Sequence, residues 1–314
     1  MKISIVAPVY NEYESLGELY RQIKQVCLEN NYSYEIIFVD DGSTDASPSV
    51  IKDLAQEDSN ISLIVFRKNF GKAAALQEGF NQASGDFIIT MDADLQDDPA
   101  EIPNFIEKLK TYDLVCGWKL KRLDSIEKTL PSKLFNKTVS LLSGVKLHDF
   151  NCGFKAYRKE VIKAIDVYGE MHRYIPVIAD KYGFKICEIP VHHRKRQFGK
   201  SKYGFERYLK GLFDCLTIVF TTKFMDKPMY FFGRVAIVIM GIGFLICLYL
   251  TILWLQGYII GRRPLLLLGV FLILVGAQSF SIGLIAEMIL KTTFRSNYQR
   301  YHVKEIFSLS KNSK

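Results

Sequence analysis

Two periodicities alternate along the first hundred residues. Short apolar, β-branched runs, ISIVAPV (3–9), EIIFVD (35–40), ISLIVF (61–66) and DFIITMD (86–92), are separated by stretches with apolar positions every three to four residues, such as ESLGELYRQIKQVCLEN and KAAALQEGFNQA. The first kind reads as buried strands and the second as amphipathic helices. Their alternation predicts right-handed β-α-β units and an α/β fold with a mainly parallel sheet. Ligands of such sheets bind beyond the carboxyl ends of the strands. Three of those ends carry polar clusters, PVYNE (8–12), DDGSTD (40–45) and DADLQDD (92–98), which are therefore expected to converge on one crevice.

The pattern changes in the last third. No charge falls between Val235 and Ile260 or between Leu265 and Ala286, and each run reaches the roughly 20 residues a helix needs to cross a bilayer. Two transmembrane helices are expected. Just before them, in 203–228, Phe205, Leu209, Leu212, Phe213, Leu216, Val219 and Phe220 fall near one helical face, with Arg207, Lys210 and Asp214 elsewhere. This spacing predicts an amphipathic helix lying in the membrane interface. The expected organisation is a catalytic domain over 1–202, the interfacial segment 203–228, a two-helix hairpin over 229–290 and a basic tail over 291–314.

MKISIVAPVYNE reads as a strand and not as a signal peptide, because Pro8 interrupts a short apolar run. Lys223, Lys227 and Arg234 before the first span, and Lys291, Arg295, Arg300 and Lys304 after the second, outnumber Arg262 and Arg263 in the connection. The positive-inside rule then puts both termini in the cytoplasm. The net charge of +8 suits an anionic membrane surface. A nucleic-acid partner is not expected, because the basic segments adjoin membrane spans and no recognition module is present. Six scattered cysteines without CxxC or zinc-like spacing read as reduced, buried small side chains. Small residues in the spans, Gly241, Gly243, Gly269, Gly276 and Ser279, permit close helix contacts and hence a homo-oligomer.

The stretch MDADLQDDP (91–99) holds four carboxylates directly after a strand. Asp97 and Asp98, beside Pro99, fit helix N-terminal acids. Asp92, Asp94 and Gln96 alternate. On an extended segment they would put three oxygen donors on one side, as Mg²⁺ or Mn²⁺ requires, leaving coordination positions open for a diphosphate. Ser43, Thr44 and Asp45 read as turn or cap residues. Asp40 and Asp41 suit hydrogen bonds to ribose hydroxyls or a base edge.

PVYNE, DDGSTD, DADLQ, CGFKAY and KRQFGKSKY, in this order and followed by two spans, resemble family 2 glycosyltransferases of the dolichol-phosphate-mannose-synthase branch. The likeness is greatest to bacterial polyisoprenyl-phosphate glycosyltransferases of the GtrB type and covers nearly the whole chain. It implies a GT-A fold, a nucleotide-sugar donor, a polyprenyl-phosphate acceptor such as undecaprenyl phosphate, and an inverting, metal-dependent transfer at the inner membrane. It also implies site residues. Pro8, Tyr10 and Glu12 would contact the nucleotide, with Asp40 and Asp41 near its base or ribose. Asp92 and Ala93 would lie along it, while Asp94 and Gln96 bind the metal and Asp92 reaches it directly or through water. Arg196 and Lys202 would meet the donor diphosphate, with Arg173 a further donor-side arginine. Ser132 and Lys133, with Arg122 nearby, would receive the acceptor phosphate, and Asp149 would orient that phosphate or a sugar hydroxyl. Lys119 and Lys121 add positive charge in the same region.

UDP-glucose is the donor the resemblance favours, with GDP-mannose as an alternative. Two other functions stay open. A processive polysaccharide synthase shares the acidic motifs but adds a Gln-x-x-Arg-Trp element, which neither Trp118 nor Trp254 completes. A non-catalytic nucleotide-sugar-binding subunit is disfavoured by the complete acidic set.

Overall fold

The computed structural model describes residues 1–120, 136–141, 143–169, 171–194, 227–259 and 264–293. The chain forms two compact units, Met1–Ile218 and Val219–Lys314.

The first unit is built on a seven-stranded sheet. Its strands are β1 (Lys2–Val9), β2 (Ser33–Asp40), β3 (Ile61–Val65), β4 (Phe87–Thr90), β5 (Leu114–Lys119), β6 (Lys155–Arg158) and β7 (Ile186–Val191). The spatial order is β3-β2-β1-β4-β6-β5-β7. The helices α1 (Tyr13–Glu29), α2 (Ser47–Glu57) and α3 (Lys72–Gln82) form the crossovers, and α4 (Ile102–Leu109) follows β4. The four sequence-predicted strands are β1 to β4. β1 pairs in parallel with β2 and with β4, so the chain winds outward to β3 and then returns to the other side of β1. That reversal is the switch point at which ligands of such sheets bind.

β6 runs antiparallel to both neighbours. The physical reason is that β5 ends at the carboxyl edge, and the segment entering β6 starts from that same edge, so β6 runs back down the sheet. This brings Asp149–Gly153 to the mouth of the crevice. The core is formed by inward faces of the strands and helices, including Ile5, Phe38, Ile89, Leu16, Leu19, Phe105 and Phe154. α3 lies close against β1. A Cβ on Gly79 would stand 2.2 Å from Val6 Cγ1, so only glycine permits this approach.

Asp58 ties three elements together at the opposite edge. Its Oδ2 accepts from Tyr34 at 2.6 Å and Tyr20 at 3.0 Å, and its Oδ1 accepts from the Asn60 backbone N–H at 2.9 Å. Burial alone would push its carboxyl up, but these bonds hold it at about 2.

The second unit contains two long helices, Pro228–Leu255 and Pro264–Thr293. Both contain windows long and apolar enough to cross a membrane, and their apolar side chains point outward, with Ile237 at 69% and Leu267 at 76% exposure. Helices of a soluble core would bury such residues. Of the small residues predicted to allow close contacts, Gly243, Gly269 and Gly276 make them between the two helices of one chain, whereas Gly241 meets nothing within 4 Å. A Cβ on Gly243 would meet Gly269 O at 2.7 Å, and one on Gly276 would meet Met240 Cγ at 2.2 Å. The sequence-predicted interfacial residues 203–226 and tail residues 294–314 lie outside the described residues.

The Asp58 cluster gives a stability test. Its folded pKa lies below the unfolded value, so the stabilisation is present above about pH 4 and is lost as pH falls through about 2. The shift corresponds to roughly 2 kcal/mol. Tyr34→Phe is expected to cost about 1.5–3 kcal/mol at pH 7, the range for a hydrogen bond to a charged group. The gap from wild type should narrow as pH approaches 2, measured by thermal unfolding of the full chain in detergent. A gap that stays constant over this range removes Asp58 as its cause.

Candidate active site

The crevice is assembled by hydrogen bonds between loops that are distant in sequence. The Asn11 N–H donates to Ser43 Oγ at 2.8 Å, the Glu12 N–H to Ser47 Oγ at 3.0 Å, and the Thr44 N–H to Asn11 Oδ1 at 2.8 Å. Asn11 adopts φ 53°, a left-handed conformation that asparagine tolerates. The third loop joins through Ser15, whose hydroxyl donates to Ala93 O at 2.6 Å. Of the three predicted turn residues, Asp45 makes the turn into α2 by accepting from the Ser47 N–H at 2.9 Å, while Ser43 and Thr44 stitch loops together. Asp40 is fully buried. Its Oδ2 accepts from the Ser43 N–H at 3.0 Å, and its Oδ1 has no hydrogen-bond partner among the described residues. Asp41 instead accepts from the N–H groups of Phe70 at 2.6 Å and Gly71 at 3.0 Å, which fixes the entry into α3.

The acidic stretch is a turn. The sequence reading treats 92–96 as extended, but Ala93 and Asp94 turn and Leu95 takes φ 61°. A left-handed leucine costs about 1–2 kcal/mol, and burying its side chain in the core at 2% exposure offsets this. Simple strand alternation therefore does not place Asp92, Asp94 and Gln96. Asp94 Oδ1 accepts from the Gln96 N–H at 3.2 Å, and the Gln96 amide nitrogen lies 3.3 Å from His193 Nε2. Asp98 caps the following turn through the Ala100 N–H at 3.0 Å, as expected of a helix N-terminal acid. Asp97 does not. It is 1% exposed, its Oδ2 accepts from the Asp92 N–H at 3.2 Å, and its Oδ1 lies 3.8 Å from Lys119 Nζ. A buried carboxylate needs a counter-charge more than a helix dipole.

Asp92 is bonded to the Lys72 ammonium. Burial would raise its pKa, but Lys72 and then Lys119 hold it at about 2. Lys119 is pulled above its ordinary value, because Asp97, Asp92 and Asp149 outweigh the burial that would lower it. This makes Lys119, expected to add positive charge to the site, an internal counter-ion. Burial, then Lys72 and Arg173, keep the nearby His172 well below its usual pKa, so its imidazole is neutral. Arg173 is buried beside it. Asp149 is also buried and accepts from the Asn151 N–H at 3.0 Å. Gly153 faces Asp92: a Cβ there would stand 2.8 Å from its Oδ2.

The basic segment begins against this turn. His193 bridges to Asp97, the Arg194 N–H donates to Gln96 O at 2.9 Å, and the Arg194 guanidinium contacts Asp98 Oδ1 at 2.7 Å and Gln22 Oε1 at 2.7 Å. Among the described residues, no three His, Cys, Asp or Glu side chains form a ready-made metal cage. The donor set of Asp92, Asp94 and Gln96 is hard oxygen in kind. It fits a cation that completes its coordination from phosphate oxygens and water.

The model of the glycosyl transferase family 2 matches residues 4–166, which span the sheet through β6 and the loops after β1, β2 and β4. The chain belongs to this family. It is a glycosyltransferase. Over 98% of its length it is 36% identical to a dodecaprenyl-phosphate galacturonate synthase of Rhizobium johnstonii, covering 93% of that protein. It is also 37% identical over 91% of its length to an undecaprenyl-phosphate 4-deoxy-4-formamido-L-arabinose transferase of Pseudomonas fluorescens, covering 83% of that protein. Among solved structures, glucosyl-3-phosphoglycerate synthase from Mycobacterium tuberculosis, in complex with Mn²⁺, UDP and glucosyl-3-phosphoglycerate, shares the fold. That match has a TM-score of 0.55 and 17% identity, covering 70% of this chain and 79% of the other. The GT-A class expected from the sequence is the class observed.

Of the residues singled out in the sequence, the structure brings together Pro8, Tyr10, Glu12, Asp40, Asp41, Asp92, Ala93, Asp94 and Gln96 at one edge of this glycosyltransferase. Arg173 and Asp149 line the same region. Arg122, Ser132, Lys133, Arg196 and Lys202 lie outside the described residues. Lys72, His172 and Arg194 are additions, and Asp97 joins the site in place of the helix-end role expected of it. Lys72 carries a faint sequence cue as the first residue of a helix entering from a strand-end loop, whereas His172 carries none. The cysteines match expectation in part: Cys27, Cys116 and Cys152 are buried, and burial pushes their thiols up to about 12, whereas Cys187 and Cys247 are partly exposed. Cys215 lies outside the described residues.

Gly153→Ala tests the Asp92 environment. Gly153 does not use positive φ, so the added methyl acts through the Asp92 carboxylate and not through the backbone. Transfer is expected to fall about tenfold or more while circular dichroism stays unchanged. Full activity in the variant would show that Asp92 has room to move without consequence.

Proposed function

We propose that this glycosyltransferase moves a sugar from a nucleoside diphosphate to the phosphate of a membrane polyprenyl phosphate, with inversion at the anomeric carbon. The observation that carries this reading is the meeting of the loops after β1, β2 and β4 at the sheet's switch point, in a chain that also has two exposed apolar helices. The names of the polyprenyl-phosphate relatives support the acceptor class.

In this reading Asp40, with one buried unpartnered oxygen, accepts an N–H or O–H of the nucleotide, and Pro8, Tyr10 and Glu12 line its path. Asp94 and Gln96, with Asp92, hold Mg²⁺ or Mn²⁺. The cation supplies Lewis-acid neutralisation of the leaving diphosphate. Arg196 and Lys202 add positive charge on the donor side, and Arg173 is a further donor-side arginine. Arg122, Ser132 and Lys133 receive the acceptor phosphate. That phosphate oxygen is already anionic at neutral pH, so attack on the anomeric carbon needs no strong base. Asp149 orients the acceptor phosphate or a sugar hydroxyl.

The two helices keep the enzyme beside a lipid-tethered substrate. Residues 1–202 form the cytoplasmic catalytic domain, residues 203–228 lie in the interface, and the basic flanks place both termini on the cytoplasmic side of the bacterial inner membrane. Glucose from UDP-glucose, transferred to undecaprenyl phosphate, is the substrate set favoured by the sequence resemblance. The relatives' names favour galacturonate or 4-deoxy-4-formamido-L-arabinose as a second reading.

The test offers radiolabelled nucleotide sugars carrying glucose, mannose, galacturonate or formamido-arabinose, with undecaprenyl phosphate, and counts label in the organic phase. Label from at least one donor is expected, and none from any donor overturns the reading. Asp94→Ala is expected to reduce transfer about 100-fold or more with the fold intact, and Gln96→Ala less, because a neutral amide oxygen supplies less field than a carboxylate. Near-normal turnover of Asp94→Ala in EDTA would remove the metal from the mechanism.

A further inference from the structure

Lys72 holds the Asp92 carboxylate, although Asp92 is one of the oxygens proposed above to hold a cation. The placement of Lys72 is built in. Asp41, at the end of β2, binds the Phe70 and Gly71 amides, and Gly71 at φ +94° turns the chain into α3, whose first residue is Lys72. The backbone is therefore fixed, and the side chain above it is a flexible four-carbon stem. The pair is also accessible. Lys72 keeps 22% and Asp92 33% of the side chain exposed, whereas the Asp97 carboxylate that faces Lys119 is 1% exposed. Lys119 is thus a permanent internal counter-ion, and Lys72 stands at the open side of the site.

An ammonium and a divalent cation repel one another and do not share one carboxylate oxygen. When a cation arrives with a diphosphate, the displaced ammonium has a new anion within reach of its stem. We propose that Lys72 is an exchangeable counter-ion: it neutralises Asp92 in the ligand-free enzyme and moves to a diphosphate oxygen when the cation-bound donor enters. It then serves as a catalytic residue. The bond from the anomeric carbon to the diphosphate oxygen breaks, its electron pair remains on that oxygen, and the acceptor phosphate oxygen forms the new bond. Lys72 remains an ammonium throughout and stabilises the charge left on the diphosphate. This rests on the nucleotide-sugar reading above.

The experiment measures two affinities of the full chain in detergent: Mn²⁺ alone by electron paramagnetic resonance, and UDP or GDP in saturating Mn²⁺ by calorimetry. Lys72→Met is expected to bind Mn²⁺ alone about three- to tenfold more tightly, because the competing ammonium is gone. It is expected to bind the nucleoside diphosphate about tenfold more weakly. Lys72→Arg should restore the diphosphate affinity to within about threefold of wild type. The opposite signs are decisive, because a purely structural ion pair would weaken both affinities together. Parallel loss of both, or no change in either, overturns the proposal. If Lys72→Met does not fold, Lys72→Gln is measured in its place under the same criteria. A wild type that binds neither UDP nor GDP overturns the donor reading and this proposal with it. A wild type that binds one of them, beside variants that bind it equally well, overturns this proposal alone.

Discussion

Charge compensation at the end of β4 is the constraint on which the rest of the crevice depends. Asp92, Asp94, Asp97 and Asp98 lie within seven residues. Two unit charges at 4 Å interact by about 4 kcal/mol at an effective dielectric constant near 20, so such a cluster needs cations from elsewhere in the fold. Three of the four carboxylates draw on different elements. Asp92 takes Lys72 from the start of α3, Asp97 takes Lys119 from the end of β5, and Asp98 takes Arg194 from beyond β7. The electrostatics of the turn therefore couple strands from both halves of the sheet, and the antiparallel β6 between them brings Gly153 close enough to shape the Asp92 carboxylate.

The same pairs separate two kinds of charge in the site. Buried pairs such as Asp97 with Lys119 preserve geometry, because removing one partner would leave an uncompensated ion inside the protein. Charges at the open edge are available to a substrate. The proposed transfer between two phosphate-bearing substrates would bring like charges together, so the arrangement has to hold positive groups close without neutralising them permanently on the protein's own carboxylates. The net charge of +8 serves the same end over a longer range, near an anionic membrane surface.

The glycines of the apolar helices illustrate a further division of labour. Lipid tails are as apolar as leucine side chains, so association of two spans relies on close van der Waals packing. Gly243, Gly269 and Gly276 provide it within the chain, while the large apolar side chains face outward. The short connection between the spans makes such pairing within one chain the local solution.

By itself the sequence determined the parallel half of the sheet, the three polar strand ends and the two spans. Each of these rests on a local period or on the length of an apolar run, which neighbouring residues impose on one another. It also marked the acidic stretch after β4 and Asp40 after β2 as the polar strand ends, because both are written into the order of residues along the chain. Only the tertiary structure decided that Leu95 folds the acidic stretch into a turn, that Asp97 is buried against Lys119 and not placed at a helix end, and that Lys72 and His172 belong to the site. These facts depend on contacts between residues 20 to 80 positions apart, such as Lys72 with Asp92 and Asp92 with His172. No period in the chain encodes such contacts, since they arise only when separate elements pack on one sheet edge and their charges have to balance there.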